Sequence, residues 1–306
     1  MKTVRKRKRD SDEKVTVRSV VKPLLFIAPF MLGILVFTLY PFINAVLISF
    51  KEDYRVLTGA YSGYGIANYT KILSDPTFIG AIRNTTQYVL IVVPVAMVLS
   101  IIIAVMLNSA SRLQGLFQTA YFMPLVTSTA AVGLVFRWLF NYDYGLFNFL
   151  LSLLGIDPIN WLNNPTYSMI SLAIYGIWSM MPFTIILLLA GLQNIDKQYY
   201  TAAKVDGART LDLFFNITLP LLAPTIGLVA IVNTMSAFKV FDSLYVLFGG
   251  KPGPAYNLYT VIYYLYEQFY TKMRLGPAAA SAMVLFFIIL VFTLIQNWIQ
   301  KKWSYR

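Results

Sequence analysis

Apart from Arg137, which sits at the far end of one run where a long basic side chain can snorkel, the polar side chains inside the apolar runs of this sequence are hydroxyls, amides and aromatic rings, whose chemistry is hydrogen bonding rather than bond breaking. Tyr175, Trp178 and Ser179 interrupt one run, and Asn233, Thr234 and Ser236 another. Asn233 and Ser236 are three apart, on roughly one helical face. An aromatic ring beside an amide suits a sugar, because the ring offers a flat apolar face and the amide offers both a donor and an acceptor. Taken singly, each residue reads first as a hydrogen bond between helices; as a group they can line a path. Lys239 and Asp242 follow the second run at near-helical spacing. They could pair with each other, line an outer mouth, or touch a partner. The chain has no histidine and no cysteine, which excludes imidazole acid–base chemistry, histidine metal ligation, disulfides and thiol chemistry. Asp196, Asp206 and Asp212 are spaced for helix faces or turns, not for a metal cage. A glycine-rich phosphate loop ending in Gly-Lys-Ser/Thr is missing, as are acids paired for hydrolysis. Catalytic, metal and cofactor residues are therefore not assigned.

The elements that must position these groups are membrane spans. Of the 306 residues 58% are hydrophobic and 12% charged, against roughly 25% charged in a soluble domain. Several charge-free runs reach the length needed to cross a bilayer, about 20 residues. The expected fold is an all-α polytopic membrane protein with six transmembrane helices: Leu24–Phe50, Tyr88–Leu107, Leu116–Trp138, Met169–Ala190, Leu219–Phe238 and Pro277–Trp298. Pro124 is expected to kink or break the third, and Pro224 to bend the fifth. The segments at 51–85, 141–167 and 239–276 are expected outside. Within the last, Tyr259 to Tyr270 reads as a helix near the interface. Asn68-Tyr69-Thr70 and Asn84-Thr85-Thr86 match the glycan acceptor pattern, a weak signal. The small residues Ala278 to Ala282 permit close helix packing.

The net charge of +12 raises a nucleic-acid reading, but much of the excess flanks spans, where positive residues set topology. Residues 1–22 carry Lys2, Arg5, Lys6, Arg7, Lys8, Arg9, Lys14, Arg18 and Lys22. They form a basic cytoplasmic tail ahead of the transmembrane domain at 23–306. A signal peptide fits less well, since the apolar run behind the tail is too long and no small-residue cleavage pattern closes it. Six spans leave both termini in the cytoplasm.

By the same count the polar stretch from Leu192 to Pro224 is cytoplasmic, between spans four and five. Its first part reads as a short amphipathic helix with Tyr199, Ala202 and Ala203 facing one way and Lys197 and Lys204 outward. Gly207 allows a tight turn. Leu211, Phe214 and Phe215 then begin a helical piece that feeds into the membrane. On residues alone this is either a solvated connector or a docking surface.

The stretch resembles the cytoplasmic loop signature of the membrane subunits of binding-protein-dependent ATP-binding-cassette importers. That pattern runs, in outline, Glu-Ala-Ala, three residues, Gly, nine residues, Ile, one residue, Leu-Pro. Here stand Thr201-Ala202-Ala203, Gly207, Ile217 and Leu219-Pro220. The segments Gly65 to Tyr69, Asn141 to Asn148, Trp161-Leu162, Phe241-Asp242, Gly249-Gly250 and Gly276 to Ala279 are similar to the sugar-permease branch. The resemblance implies a non-enzymatic half-pore in a bacterial cell membrane. The loop, with Thr201, Ala202, Ala203, Lys204, Asp206, Gly207, Ala208 and Arg209, would be a coupling helix seated in a groove of the ATPase. The implied partners are a homologous second permease, two ATPase subunits that use ATP and magnesium, and an extracytoplasmic binding protein that delivers a sugar or oligosaccharide. The family's opening glutamate is Thr201 here. The charged contact is thus left to Lys204, Asp206 or Arg209, or to a partner without the matching base. An importer of glycerol phosphate or a related polyol is the alternative; an ion-coupled secondary transporter would show mid-membrane charges and a repeat.

Overall fold

The computed structural model describes residues 17–109, 119 and 123–304. The expected tail at residues 1–22 falls largely outside the described residues, as does the first part of the expected third span. The chain divides into two compact units, at Ile48 and Ser49.

The first unit is helical. Helix α1 (Val17–Ile34) passes through a wide π turn at Leu35–Leu39 into α2 (Tyr40–Phe50). The Tyr40 amide reaches back to the Leu35 carbonyl, and Pro41 follows. A proline ring crowds the carbonyl four residues behind it and contributes no N–H. Widening the preceding turn by one residue relieves that conflict without breaking the helix. The same device recurs before Pro220: a π turn at Phe214–Thr218, with the Leu219 amide bonded to the Phe214 carbonyl. The bend expected at Pro224 is not found there: Pro224 lies inside a continuous helix, and the irregular turn comes earlier, before Pro220.

The second unit begins with a short antiparallel pair, β1 (Lys51–Glu52) and β2 (Gly63–Tyr64), and then α3 (Ala67–Leu73). Four long apolar helices follow in it: α4 (Pro76–Ser109), α7 (Pro165–Gln193), α10 (Leu219–Phe238) and α13 (Leu275–Ser304). Between α4 and α7 lie α5 (Thr129–Leu139) and α6 (Leu146–Leu153). Two short helices, α8 (Lys197–Val205) and α9 (Thr210–Leu213), join α7 to the π turn before α10. After α10 come α11 (Asp242–Leu247) and α12 (Val261–Tyr266), the latter passing into a π turn at Glu267–Thr271. Among the described residues five helices are long and apolar enough to cross a membrane, with the first running from Leu24 to Phe50. The expected third span is represented by α5, of 11 residues, and by helical residues 123–126. Helical structure stops at Thr127 and Ser128, three residues past Pro124.

Helix α10 has the expected bounds. Helix α4 does not: it starts at Pro76, twelve residues before the expected Tyr88. Its first turns carry Arg83, Asn84, Thr85 and Gln87, which break the apolar run but belong to the helix. The Asn84 amide donates to the carbonyls of Asn257 (2.9 Å) and Tyr259 (3.0 Å), and the Thr85 hydroxyl accepts from the Val261 amide (3.0 Å). Asn68 is likewise buried and donates to the carbonyls of Ser49 and Lys51. Both asparagines of the glycan-like patterns are therefore structural staples.

These bonds define one end of the second unit. The start of α4, the start of α7, where Asn257 donates to the Pro165 carbonyl (2.9 Å), and the end of α10, where Thr260 donates to the Val240 carbonyl (3.1 Å), all meet there. Gly276, near the start of α13, packs on Asn68, and Ala278, Ala280 and Ser281 are buried. Helix α8 follows the far end of α7, at the opposite end of the unit.

Candidate functional site: a polar cavity and a protruding helix

A cavity of about 300 Å³ opens among α4, α5, α7, α10 and the start of α11. Tyr175, Ser179, Asn233, Ser236, Lys239 and Asp242 all line it, beside Tyr88, Phe183 and Phe241. Three and four residues separate these positions along α7 and α10, so each helix turns one polar face inward. Gly176 makes the cavity wall possible. A Cβ there would overlap the Tyr88 hydroxyl, so α7 and α4 meet closely only with glycine at this point.

Asn233 is buried and donates to the Thr184 hydroxyl (2.8 Å), tying α10 to α7. Its side chain thus serves packing and cavity lining together. The Tyr175 hydroxyl points at the Thr129 carbonyl (3.4 Å), and its ring meets Phe136 edge-on at 4.9 Å. Two of the sequence-selected residues stand apart from the cavity. Trp178 packs against Phe136 (5.2 Å between centroids). Thr234 is buried and accepts from the Gln296 amide (2.7 Å), a helix-to-helix bond. Lys239 and Asp242 both line the cavity without pairing with each other; the ion pair found among the described residues joins Lys272 to Glu267 (3.5 Å). Sequence reasoning marked Phe241 only as part of the family resemblance and missed Phe183, since a phenylalanine among apolar residues carries no signal of its own.

At the opposite end, α8 stands out from the unit. Asp196 caps it by accepting from the Gln198 amide (2.9 Å). It closes where the Gly207 amide reaches the Lys204 carbonyl (3.1 Å) and the Ala208 amide the Ala203 carbonyl (3.0 Å). Gly207 has φ +80°, the left-handed region that only glycine enters without steric cost. The chain restarts at Arg209, whose amide donates to the Asp212 carboxylate (3.0 Å), and α9 runs on through the π turn into α10.

None of the α8 residues is buried. Thr201, Ala202, Lys204, Val205, Asp206, Gly207 and Arg209 are exposed, and Ala203 and Ala208 half-buried. Val205 shows 84% of its surface. The inward tyrosine is Tyr200, not Tyr199: Tyr200 meets the Thr218 hydroxyl (3.1 Å), while Tyr199 is 57% exposed. The Thr201 hydroxyl donates to the Lys197 carbonyl of its own helix (3.1 Å). The outward surface is thus small and apolar at its centre, with charges at its rim.

Titration is perturbed in the cap that joins α3, α4 and α12. Burial would raise the Asp75 carboxyl, but bonds from the Tyr264 hydroxyl (2.8 Å) and from Thr77 outweigh it and hold the group below the ordinary carboxylate range. Burial, then the bond to Asp75, pushes the Tyr264 phenol up. No cluster of His, Cys, Asp or Glu able to hold a metal occurs among the described residues.

Three comparisons bear on this geometry. The family described as binding-protein-dependent transport system inner membrane component matches residues 96–305. The chain is 38% identical over 275 residues to the arabinooligosaccharides transport system permease protein AraP of Bacillus subtilis strain 168, covering 89% of this chain and 86% of the relative. It is 32% identical over 282 residues to the trehalose/maltose transport system permease protein MalF of Thermococcus litoralis, covering 92% and 94%. Its fold is similar to a chain in the crystal structure of a bacterial alginate ABC transporter in complex with an alginate pentasaccharide-bound periplasmic protein. The TM-score is 0.81 at 22% identity, over 94% of this chain and 97% of that one.

Proposed function

The chain belongs to the family of binding-protein-dependent transport system inner membrane components, and from that premise we propose that it forms half of the membrane path of a sugar or oligosaccharide importer. The observation that carries this reading is the pairing of a polar, aromatic-walled cavity at one end of the unit with a protruding, unburied helix at the other. As a permease subunit it is a pore component, and ATP hydrolysis belongs to separate subunits. The cavity supplies what a polyol needs: the hydroxyls of Ser179 and Ser236, the Asn233 amide, the Asp242 carboxylate, and the Tyr175 and Phe183 rings. Its lining carries one ammonium, Lys239, and one carboxylate, Asp242, a balance that favours a neutral sugar over a phosphorylated polyol.

Six spans place both termini and α8 in the cytoplasm and the cavity mouth outside. In this reading α5 and helical residues 123–126 belong to the third span. Helix α8 docks in a groove of the ATPase through Thr201, Ala202, Lys204 and Val205, with Asp206, Gly207, Ala208 and Arg209 shaping the return turn. Closure of the ATPase pair then moves α7 and α10, the helices that α8 and α9 join and that carry the cavity wall. Trp178 and Thr234 act as packing residues at the edge of the path. A homologous second permease supplies the other half, and an extracytoplasmic binding protein delivers the sugar.

The test is purification of the tagged chain from its native membranes in mild detergent, followed by identification of its companions and sugar uptake in proteoliposomes. Recovery of a second permease, an ATPase and a binding protein, with ATP-dependent uptake, is expected. Recovery of the chain alone, with uptake driven by an ion gradient, would refute it.

A further inference from the structure

We propose that four rings beside the cavity, Phe241, Tyr245, Tyr266 and Tyr270, form an entry ramp that holds the trailing units of an oligosaccharide while its leading unit enters the cavity. The proposal rests on the sugar-importer reading and deepens it: the substrate is a chain of several sugar units. Phe241 lines the cavity next to Lys239 and Asp242. Its ring meets Tyr266 at 5.0 Å and Tyr245 at 5.5 Å between centroids. Tyr245 and Tyr266 touch at 6.0 Å, and Tyr270 stacks on Tyr266 at 5.4 Å with planes 15° apart. Phe241 is half-buried. Tyr266 is half-buried, Tyr245 is 38% exposed and Tyr270 62% exposed. The rings therefore run without interruption from the surface to the cavity wall.

Their placement follows from helical spacing. Phe241 caps α11 and its ring meets that of Tyr245 in the first turn, while Tyr266 and Tyr270 are four apart across the end of α12 and its π turn and share a face. Tyr263 braces the set from behind. Its ring lies 6.0 Å from Phe241, and its hydroxyl donates to the Gly250 carbonyl (2.8 Å). Tyrosine and phenylalanine give large contact area at low side-chain entropy. The C–H faces of a sugar ring are apolar and weakly positive, and they match the negative face of an aromatic ring. Tyrosines also gather at lipid interfaces. Here, however, Phe241 lines the cavity beside a lysine and an aspartate, and the tyrosines connect to it through ring contacts.

The experiment uses the complete importer purified from native membranes and reconstituted in proteoliposomes. Uptake is measured for arabinose and maltose oligosaccharides of two and of four units. Tyr270→Ala and Tyr266→Ala are expected to lower uptake of the four-unit sugars about tenfold, the order of losing an aromatic contact, with two-unit sugars nearly unaffected. Tyr270→Phe and Tyr266→Phe keep the ring and should keep uptake. Tyr270 is exposed, so its variant also guards against misfolding, checked by thermal melting. Equal loss at both lengths, or no loss, would overturn the ramp while leaving the importer reading intact. Failure of the wild-type complex to take up any sugar that its own binding protein carries would overturn both.

Discussion

Gly207→Ala isolates the backbone geometry of the turn that ends α8. A Cβ at this position would meet nothing within 4 Å, so the substitution adds no clash and removes no packing. Its whole effect is the cost of holding alanine at φ +80°, about 1–2 kcal/mol. That energy divides the ratio of formed to open turn by a factor of about 5–30, and it falls on the two closing bonds, Gly207 to Lys204 and Ala208 to Ala203. The assay is ATP hydrolysis by the reconstituted complex on addition of sugar-loaded binding protein. Stimulation should fall by a comparable factor in Gly207→Ala, and by less in Gly207→Asn, since asparagine tolerates the left-handed region. Wild-type stimulation in the alanine variant would refute the claim that this turn sets the docking geometry.

Three further outcomes follow from the same structure. Gly176→Ala drives a Cβ into the Tyr88 hydroxyl and should cost about 1–3 kcal/mol, as overpacking does; a lowered melting temperature in detergent with reduced uptake checks it. Asn233→Leu removes the bond to Thr184, for a stability loss on the order of 1 kcal/mol by the scale of intramembrane hydrogen bonds. Its uptake loss should exceed that of Thr184→Val, because Asn233 lines the cavity and Thr184 supports it from behind. The Asp75 carboxyl titrates below its ordinary value in the fold, so its contribution is full above the unfolded-state value and disappears as pH falls through the lower folded one. Asp75→Asn should flatten the acid limb of the melting-temperature profile, and an unchanged profile would assign acid sensitivity elsewhere.

Much of the architecture was legible because spans advertise themselves by length and apolarity. Helix α10 runs over the residues its hydropathy marks. Arg83, Asn84 and Thr85 look like loop residues, so hydropathy starts the span of α4 too late; the partners of Asn84 and Thr85 at 257–261 lie more than 170 positions away, beyond any local pattern. The same distance problem hid the role of Thr234, whose partner Gln296 belongs to another helix. Helix α8 was legible as an element, but nine residues fix the phase of an amphipathic face poorly, and the reading chose Tyr199 over Tyr200. The cavity was legible as polar interruptions at helical spacing. Its aromatic approach was not, because Phe241 and Tyr245 come into register with Tyr266 and Tyr270 only through the turn between α11 and α12.

The central claim, that α8 docks on the ATPase, meets its most direct test through a property of the sequence. The chain has no cysteine, so Val205→Cys introduces a single thiol on a side chain 84% exposed. A short bifunctional cross-linker applied to the assembled complex should join this position, and likewise Ala202→Cys, to the ATPase subunit, with a yield that changes on ATP binding. Absence of that product at both positions, while Lys301→Cys near the end of α13 does cross-link to the ATPase, would contradict the account.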